Sequence, residues 1–450
     1  MGLSWSGPGA SGNRPGRGDA VHCDVLVLGS GPAGFYCALN CARLGRKTIL
    51  VERDRLGGTG FRWGCLPVKI MLDRLRAGTA GGAGAERGRC GEAASVIAAA
   101  ARRIQEVEAR IMGRLTAAGV QVVQGEGRFI DPNTFHLGRR RISAGRIVIA
   151  TGTEPSDWPG IPLDGRTVIS HRELIGLSEI PEHLVILGAD VEGIELACIF
   201  ARLGGRVTVI EKEGRILPGT DPDLAEPIRR DLLGRGVDLR TSTQVSGCSV
   251  DSGPTLALKD GSRQKADRIL ATGLRRPSFP EGLERTGVDH DEHKILVNGD
   301  LQTSCRRIYA AGDINGITGM AHAAIQQGLL AARRIAESSG GPAPAGPPYP
   351  RAIYTLPEIA GAGFQEAELD KQGTPYRRFS YRLADTWRGF SKGIDEGFVK
   401  VLAGADHRIL GIWICGADAS EQASLFGPLL ASGLTLEALR DGLILSLIHI

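Results

Sequence analysis

Two stretches of the chain share the same order of apolar and polar positions. In residues 24–52, an apolar run leads into a glycine-rich turn, a helical pattern follows, and a second apolar run ends in an acidic residue. Residues 184–211 repeat this order at a constant offset. The matched residues are Gly29 with Gly188, Gly34 with Gly193, and Glu52 with Glu211. Short apolar runs that alternate with helical patterns are typical of βαβ units, so the sequence predicts an α/β protein with two Rossmann-like folds in tandem.

Further patterns divide the chain outside these two copies. Each copy is followed by an apolar run that ends in Ala-Thr-Gly, at residues 147–152 and 269–273. Residues 338–350 are rich in Pro and Gly, which predicts a linker between domains. Residues 1–20 are rich in Gly, Ser and Pro and contain no apolar run, which predicts a disordered leader.

Composition narrows the classes of function. The 450 residues are 42% hydrophobic, and no apolar run has the length of a membrane span, so we expect no contact with a membrane. The formal net charge of +4 is too small to indicate nucleic-acid binding. The 9 cysteines lack a regular spacing, which is typical of a reducing compartment. We therefore expect a cytoplasmic protein, and no residue spacing predicts a metal site.

The first glycine-rich turn carries a full dinucleotide fingerprint. Gly29 permits a tight turn, Gly31 lets the backbone approach a pyrophosphate, and Gly34 lets the following helix pack on the strand. The pyrophosphate then lies at the helix N-terminus. Glu52 ends the next strand, where a carboxylate can accept both ribose hydroxyls. Strand, turn, helix and acidic residue together predict a bound dinucleotide rather than an empty turn.

The segment that follows resembles a known family. Residues 56–69, LGGTGFRWGCLPVK, are similar to the GGTCxxxGCxPxK pattern of the class I pyridine nucleotide-disulfide oxidoreductases, the group that includes dihydrolipoyl dehydrogenase. The resemblance covers about residues 21–444. Further matching segments are residues 150–152, 308–314 (IYAAGDI), 320–323 and 397–416.

This resemblance implies a domain organisation and two cofactors. An FAD-binding domain would comprise residues 21–152 and 268–337, and an NAD(P)-binding domain residues 153–267. A C-terminal α+β interface domain, residues 351–450, would form a homodimer. The resemblance also implies FAD in the first site and NAD, or NADP, in the second.

The resemblance assigns roles to individual residues. Cys65 would be the thiol next to the flavin, and Lys69 would lie near flavin N5, paired with Glu195. Glu52 would hold the adenosine ribose and Asp313 the ribityl chain of FAD. The other residues expected to contact FAD are Gly58, Thr59, Thr151, Gly152, His322 and Ala323. Those expected to contact the nicotinamide nucleotide are Gly188, Gly193, Glu211 and Gly273.

The chain departs from the family at the redox disulfide. Gly60 stands where the family has its first cysteine, and only Cys65 remains. A thiol–disulfide relay needs both partners, because electrons leave the flavin as disulfide reduction and pass on by thiolate attack. We therefore expect ordinary disulfide chemistry to fail. Cys65 then either acts alone, as a charge-transfer thiolate, a sulfenic acid or a mixed disulfide, or is a small packing residue.

The second glycine-rich turn is also altered. Asp190 takes the place that Gly31 has in the first turn. A carboxylate ~5 Å from a phosphate charge costs about 3 kcal/mol at an effective dielectric constant near 20. That energy corresponds to roughly a hundredfold loss of affinity. Asp190 can alternatively serve as a helix N-cap, although it would still impair nucleotide binding. Glu211 favours NAD over NADP, because a carboxylate repels a 2′-phosphate.

The C-terminus lacks the His-Pro-Thr-x-x-Glu motif of the family. His449 is the nearest substitute, but no Pro and Glu follow it. The final residues, LSLIHI, match the translated end of a transposase adaptor that is used in sequencing libraries. We therefore expect the interface domain to be truncated.

Three functions remain open. The first is an FAD-dependent oxidoreductase that passes hydride from NAD(P)H to FAD and electrons on to a small-molecule acceptor that is not a disulfide. The second is a dihydrolipoyl dehydrogenase-type disulfide reductase, which Gly60 opposes. The third is a degenerate FAD-binding protein without catalysis, which Gly60 and Asp190 together favour.

Overall fold

The computed structural model describes residues 20–79, 90–174, 176–177, 179–250, 253–337 and 349–442. Three predictions lie wholly or mostly outside these residues. They are the leader up to residue 19, the linker at 338–348, and the C-terminal segment 443–450 that contains His449.

The chain alternates helices with short strands. The helices are α1 (Pro32–Arg43), α2 (Cys65–Thr79), α3 (Cys90–Ala117), α4 (His171–Leu174), α5 (Val191–Arg202), α6 (Pro222–Gly234), α7 (Ala321–Ala336), α8 (Glu366–Gln372), α9 (Trp387–Lys392), α10 (Ala419–Ala423), α11 (Phe426–Ala431) and α12 (Leu436–Asp441). The strands are β1 (Ala20–Leu28), β2 (Thr48–Glu52), β3 (Gln121–Gln124), β4 (Gly127–Asp131), β5 (Thr134–Leu137), β6 (Arg140–Ile149), β7 (Thr153–Pro155), β8 (Val168–Ile169), β9 (His183–Leu187), β10 (Arg206–Ile210), β11 (Asp238–Arg240), β12 (Val245–Ser249), β13 (Thr255–Leu258), β14 (Arg263–Lys265), β15 (Arg268–Ala271), β16 (Arg275–Pro277), β17 (Ile308–Ala310), β18 (Arg351–Ile353), β19 (Glu358–Gly363), β20 (Arg377–Arg382), β21 (Phe398–Ala403) and β22 (Ile409–Gly416).

The first sheet has the strand order β3-β2-β1-β6-β5-β4, and β17 pairs with β6. Strands β1, β2, β3, β6 and β17 run parallel, whereas β4 and β5 form an antiparallel edge. The residues Val25, Leu26 and Val27 of β1 are fully buried, as is typical of a parallel strand in a sheet that is covered on both faces. Helices α1 and α7 pack against each other on one face. The carboxyl end of β1 thus opens directly into the first glycine-rich turn.

The second sheet is parallel throughout, with the order β11-β10-β9-β15-β8. Strand β9 leads into the second glycine-rich turn and α5, as β1 leads into the first turn and α1. The predicted domain boundary at residue 268 is wrong in one respect. Residues 268–271 form β15, which pairs with β9, so this strand belongs to the second sheet and not to the first. Its apolar residues are buried there beside those of β9.

An antiparallel sheet, β18-β19-β22-β21-β20, forms the C-terminal unit. A buried lysine joins this unit to α6 of the second fold. The Lys400 ammonium donates to carboxylates of Asp221, Asp223 and Glu366 at 2.7, 2.8 and 2.8 Å. These three carboxylates lie close enough together to hold a metal ion, but they already share the Lys400 ammonium, and Arg378 also pairs with Asp223 and Glu366. The cluster therefore works as an ion-paired joint between the two units.

The mostly parallel first sheet, the parallel second sheet and the antiparallel C-terminal sheet confirm the predicted fold class. Both glycine-rich turns lie at carboxyl ends of parallel strands, where open α/β sheets bind ligands. In the part of the chain that the structure describes, no helix is long and apolar enough to cross a membrane.

Candidate functional site

A cavity of about 340 Å³ opens at the carboxyl end of the first sheet. It extends from the first glycine-rich turn past the Ala-Thr-Gly segment to the start of α2. The predicted site residues that line it are Gly29, Gly31, Glu52, Gly58, Thr59, Cys65, Thr151, Gly152 and Asp313. The fold therefore brings together residues that the family resemblance predicts in one site. We call this space the main cavity.

The first turn needs its glycines for measurable reasons. Gly29 has a φ of +99°, and a Cβ there would lie 2.4 Å from the carbonyl oxygen of Ala150. A Cβ on Gly34 would lie 1.9 Å from the carbonyl oxygen of Gly29, so α1 can approach the strand only without a side chain. Gly31 is different, because a Cβ there would meet only Gly58 Cα at 4.0 Å. The space in front of Gly31 is therefore open to a ligand.

Glu52 is fixed in place by the same turn. Its Oε2 accepts hydrogen bonds from Ser30 N at 2.8 Å and Ser30 Oγ at 2.6 Å. Its Oε1 accepts from Asp54 N at 3.0 Å. These bonds hold the carboxylate at the end of β2, where it faces the main cavity and can accept ribose hydroxyls.

The donors and acceptors of the main cavity fit the FAD that the motifs imply. The hydroxyl of Thr151 is buried and has no hydrogen-bond partner among the described residues. A buried polar atom without a partner is rare, and it indicates a group that a ligand satisfies. Asp313 lies in the same wall, and Thr153 Oγ1 donates to its Oδ2 at 3.5 Å. Burial raises the pKa of Asp313, while the charge of Arg275 lowers it.

Four residues that were predicted at the FAD site do not line the main cavity, namely Gly34, Lys69, His322 and Ala323. Helix α7 contributes Ala321 and Ala324 to the cavity wall, whereas Ala323 is buried behind it and His322 is exposed. Although His322 is exposed as a residue, the protein atoms around its ring lower its pKa, and a hydrogen bond with the Pro350 backbone raises it. On an α-helix, residues three apart share a face, which is why 321 and 324 face the cavity together.

Cys65 is the first residue of α2, and its thiol is accessible from the main cavity. The protein atoms crowded around the sulfur nevertheless raise the pKa of Cys65, and the nearby charge of Lys69 opposes that shift. Every cysteine whose side chain the structure describes is a free thiol. Cys65 is the one that lines the main cavity, and it has no thiol partner there.

Position 60 is packed as a glycine. It lies in a π-helical turn, Thr59–Trp63, in front of α1. A Cβ on Gly60 would lie 2.7 Å from Pro32 Cγ and 3.5 Å from Ala321 Cβ. A separation of 2.7 Å is below any ordinary carbon contact, so a side chain at position 60 would force the turn or Pro32 to move.

Lys69 and Glu195 are not among the residues that line the main cavity, and both contact Tyr354 of the C-terminal unit. The Lys69 ammonium is 4.0 Å from the centroid of the Tyr354 ring. Glu195 Oε1 accepts a hydrogen bond from Tyr354 N at 2.8 Å. Burial raises the pKa of Glu195 to about 8, although that hydrogen bond and the charge of Lys69 both lower it. The predicted pairing of Lys69 with Glu195 is therefore a long-range attraction here, since no ion pair joins these two described residues.

The second turn repeats the backbone of the first. Gly188 has the same φ of +99°, and a Cβ on Gly193 would lie 2.0 Å from the Gly188 carbonyl oxygen. Glu211 accepts hydrogen bonds from Ala189 N at 2.7 Å and Glu213 N at 2.9 Å, as Glu52 does in the first fold.

Asp190 changes what this turn offers to a ligand. Its backbone is extended, with φ −76°, close to the −61° of Gly31. The Asp190 carboxylate is exposed and accepts a hydrogen bond from Val191 N at 2.8 Å. An amide at the start of α5, which could otherwise face a phosphate, thus already has an anionic partner from the chain itself.

A histidine that sequence reasoning left without chemistry lies beside the second turn. His171 is buried, and its Nδ1 lies 2.8 Å from Glu192 Oε1. The other carboxylate oxygen of Glu192 lies 3.4 Å from Gly273 N, the last residue of the second Ala-Thr-Gly. His171 lowers the pKa of Glu192 against the effect of burial. No motif surrounds His171 in the sequence, and only packing of α4 against α5 brings the two residues together.

Two arginines near the main cavity were also missed. Arg275 donates to Thr153 Oγ1 at 2.7 Å and Thr59 Oγ1 at 3.2 Å, so it ties β16 to the segment before Gly60. Arg172, next to His171 on α4, lines the main cavity. The sequence contains many scattered arginines, and no motif distinguishes Arg275 and Arg172 from arginines at the surface.

Comparisons with known proteins place the chain among flavoenzymes. The model of the family "Pyridine nucleotide-disulphide oxidoreductase" matches residues 23–328, and the model of its dimerisation domain matches residues 349–445. The dihydrolipoyl dehydrogenase of Bacillus subtilis is 32% identical over 417 residues, which are 88% of this chain and 90% of that protein. The dihydrolipoyl dehydrogenase of Pseudomonas aeruginosa is 31% identical over 432 residues, 92% of each.

Solved structures agree on the fold. LpdA from Mycobacterium tuberculosis superposes with a TM-score of 0.84 at 25% identity, over 95% of this chain and 97% of that one. The HOCl-induced flavoprotein disulfide reductase RclA from Escherichia coli has the same TM-score at 23% identity, over 94% and 96% of the two chains.

Proposed function

The chain belongs to the pyridine nucleotide-disulphide oxidoreductases, and we propose that within this family it passes electrons from NAD(P)H to an acceptor that is not a disulfide. Like its relatives it is an FAD- and NAD(P)-dependent oxidoreductase. When bound, FAD takes up a hydride and returns two electrons to an acceptor. The overall reaction is then NAD(P)H + H⁺ + acceptor → NAD(P)⁺ + reduced acceptor, with both electrons and both protons on the acceptor.

The observation that carries the proposal is the single thiol in the main cavity. A disulfide relay needs a second sulfur within bonding reach of Cys65, and Gly60 supplies none. A Cβ on residue 60 would lie 2.7 Å from Pro32 Cγ, which supports a turn whose packing requires glycine at this position. Burial also raises the pKa of Cys65, which disfavours the thiolate that would attack a disulfide substrate.

Glu195 and Lys69 set the charge and protonation near the main cavity. Burial raises the pKa of Glu195 to about 8, which favours the protonated carboxyl at neutral pH, and its Oε1 accepts a hydrogen bond from Tyr354 N. The Lys69 ammonium lies 4.0 Å from the centroid of the Tyr354 ring, beside this carboxyl. Lys69 follows Cys65 by one turn of α2, and its positive charge there favours electron-rich states of a redox group bound in the main cavity.

We infer that the nicotinamide nucleotide is NAD and that it binds weakly. Glu211 is fixed at the end of β10 and would repel a 2′-phosphate. Asp190 puts a carboxylate at the turn where the pyrophosphate of a dinucleotide would approach. Both features support a nicotinamide nucleotide site that keeps its fold but binds NAD weakly.

We also propose that the protein is a cytoplasmic homodimer that acts on a small-molecule acceptor. The match to the dimerisation domain supports the dimer. Trp387 and Phe390 on α9 of that domain are 81% and 77% exposed, which is unusual for large aromatic side chains and fits a surface that a second copy covers. The free cysteines support a reducing compartment.

An anaerobic absorbance experiment tests the proposed reaction. The purified protein is expected to be yellow, to bleach on addition of NADH, and to recover its colour with 1,4-naphthoquinone but not with lipoamide. Recovery with lipoamide at a comparable rate would overturn the non-disulfide proposal. A yellow protein that NADH leaves unchanged would instead favour the degenerate, non-catalytic reading that Asp190 suggests.

A further inference from the structure

The internal repeat relates the surface of the first nucleotide fold to that of the second. The constant offset that matches Gly29 with Gly188 also matches Ala33 with Glu192. Ala33 lines the main cavity of the first fold. Glu192 therefore stands on the corresponding surface of the second fold, and it places a carboxylate where the first fold has only a methyl group.

The Glu192 carboxylate is fixed at this surface from two sides. His171 Nδ1 lies 2.8 Å from Glu192 Oε1, and the Gly273 amide donates to Oε2 at 3.4 Å. The side chain of His171 is 6% exposed and that of Glu192 is 27% exposed, so the histidine holds the carboxylate from the protein interior. Gly273 is the counterpart of Gly152, which lines the main cavity. A backbone amide of the second Ala-Thr-Gly is thus paired with a side chain of the protein itself.

The Glu192 carboxylate is negatively charged at neutral pH. Burial raises the pKa of Glu192, but the hydrogen bond and the charge of His171 lower it. The charge of Arg275 lowers it further, and the pKa lies below its usual value of 4.5. Asp190 presents a second carboxylate at the same turn. Two negative charges thus lie where a dinucleotide would bring its pyrophosphate, and like charges at short range oppose binding.

We propose that His171 and Glu192 form a latch that closes the second nucleotide site, and that a nicotinamide nucleotide binds only when the Glu192 carboxylate leaves the Gly273 amide. A carboxylate and a phosphate are both anions that bind backbone amides at such a turn, so one excludes the other. Glu192 thus limits the affinity of the site, and His171 positions Glu192. This inference rests on the proposed nicotinamide nucleotide site, but not on the identity of the electron acceptor.

The test measures binding to the oxidised holoenzyme and needs no turnover. ADP-ribose carries the pyrophosphate of NAD without the nicotinamide ring, and isothermal titration calorimetry gives its dissociation constant. Glu192→Ala gives the second fold the residue that the first fold has at Ala33, and this constant should fall about ten- to a hundredfold. Glu192→Gln removes the charge but keeps a hydrogen bond with His171, and it should improve affinity by a smaller factor. Adenosine, which has no phosphate, should bind every variant within about threefold of the wild type.

A double-mutant cycle tests the role of His171. His171→Leu removes the partner that holds the carboxylate, so ADP-ribose should bind more tightly to this variant than to the wild type. In the Glu192→Ala background the same change should have no effect, because no carboxylate is left to hold. An equal effect in both backgrounds would show that His171 acts on the fold as a whole, and would overturn its positioning role.

The matched control is Glu182→Gln, because Glu182 is an exposed carboxylate at the opposite end of β9 from the turn. It should bind ADP-ribose as the wild type does. Wild-type affinity in both Glu192→Ala and Glu192→Gln would overturn the latch. If Glu192→Ala is unstable because His171 loses its partner, Glu192→Gln decides the question.

Reduction of the flavin by NADH separates this inference from the proposed function. If NADH bleaches the wild type and the Glu192 variants bind ADP-ribose no better, the proposed function stands and the latch is refuted. If Glu192→Ala binds ADP-ribose more tightly but NADH bleaches no variant, the latch stands and the proposed function is refuted.

Discussion

The two glycine-rich turns have nearly the same backbone and offer opposite electrostatics. Gly29 and Gly188 share a φ of +99°, and the two acidic strand ends, Glu52 and Glu211, accept the same pair of backbone hydrogen bonds. One difference is the side chain at the second position of the fingerprint, which is absent at Gly31 in the first fold and is the Asp190 carboxylate in the second. Under the proposed function, this carboxylate weakens dinucleotide binding at the second turn while the backbone stays the same.

A second difference points the same way. The hydroxyl of Thr151 in the first fold has no partner among the described residues, whereas its counterpart Thr272 donates to the Leu187 carbonyl at 2.8 Å. The first fold leaves donors free for a ligand, and the second satisfies them internally. A fold can therefore persist after its ligand contacts are altered, because the chain supplies substitutes.

The largest effect is expected when the first turn is made like the second. Gly31→Asp has room for its Cβ and an allowed backbone, so the protein should fold. The added carboxylate faces a pyrophosphate, which should lower FAD affinity by about a hundredfold or more. Flavin content and an FAD titration of the apoprotein measure this. Gly31→Asn is the uncharged control, and equal losses in the two variants would show that bulk and not charge decides.

The reciprocal change, made in the second turn, should strengthen the binding of NADH. Asp190→Asn removes the charge and keeps an acceptor for Val191 N, so α5 stays capped. The dissociation constant for NADH should fall roughly ten- to a hundredfold in anaerobic stopped-flow reduction. Asp260→Asn, an exposed carboxylate in another turn, serves as control. Unchanged NADH affinity in Asp190→Asn would contradict the electrostatic account of the difference between the turns.

Restoring the missing thiol tests whether the first fold still accepts the family's chemistry. Gly60→Cys brings a Cβ to 2.7 Å from Pro32 Cγ, so the unfolding free energy should drop by about 1–3 kcal/mol. Dihydrolipoamide oxidation should stay absent. Gly113→Cys adds a thiol where nothing lies within 4 Å and should be neutral. A stable Gly60→Cys variant with lipoamide activity would show that the turn is not committed to glycine.

Glu195, on the helix that follows the second turn, makes stability depend on pH. Its folded pKa of about 8 lies above the usual value of 4.5, so the folded state holds the proton more tightly than the unfolded chain. This contribution to stability is complete below pH 4.5 and is lost as the pH rises to 8. Wild-type Tm should therefore fall more between pH 5 and pH 8 than that of Glu195→Gln. Parallel Tm curves would show that Glu195 is not protonated in the fold.

The smallest effect is expected from the two threonines. Thr272→Val breaks a buried hydrogen bond and should lower the unfolding free energy by about 1 kcal/mol. Thr151→Val breaks none within the described protein, so the apoprotein should be as stable as the wild type. FAD affinity should instead fall severalfold. Thermal denaturation of the apoproteins and FAD titration measure the two effects, and a reversed pattern would refute the assignment of Thr151 to a ligand.

The sequence predicts the parts of this molecule that short-range patterns determine. Both turns, the strand ends at Glu52 and Glu211, and the capping role of Asp190 follow from local spacing, and the fold class is confirmed. Contacts that depend on packing between units could not be predicted. His171 and Glu192, or Lys69 and Tyr354, meet only in the folded chain. The contact between Gly60 and Pro32 belongs to the same class, since no motif reveals which atoms surround a glycine.

The central claim is that the flavin of this protein works without a redox disulfide, and counting electrons tests it most directly. FAD takes two electrons, and a disulfide would take two more. An anaerobic dithionite titration of the holoenzyme should therefore end at two electrons per flavin. Titration of free thiols before and after reduction should give the same number. An end point at four electrons per flavin, with two additional thiols, would reveal a disulfide on Cys65 and contradict the account.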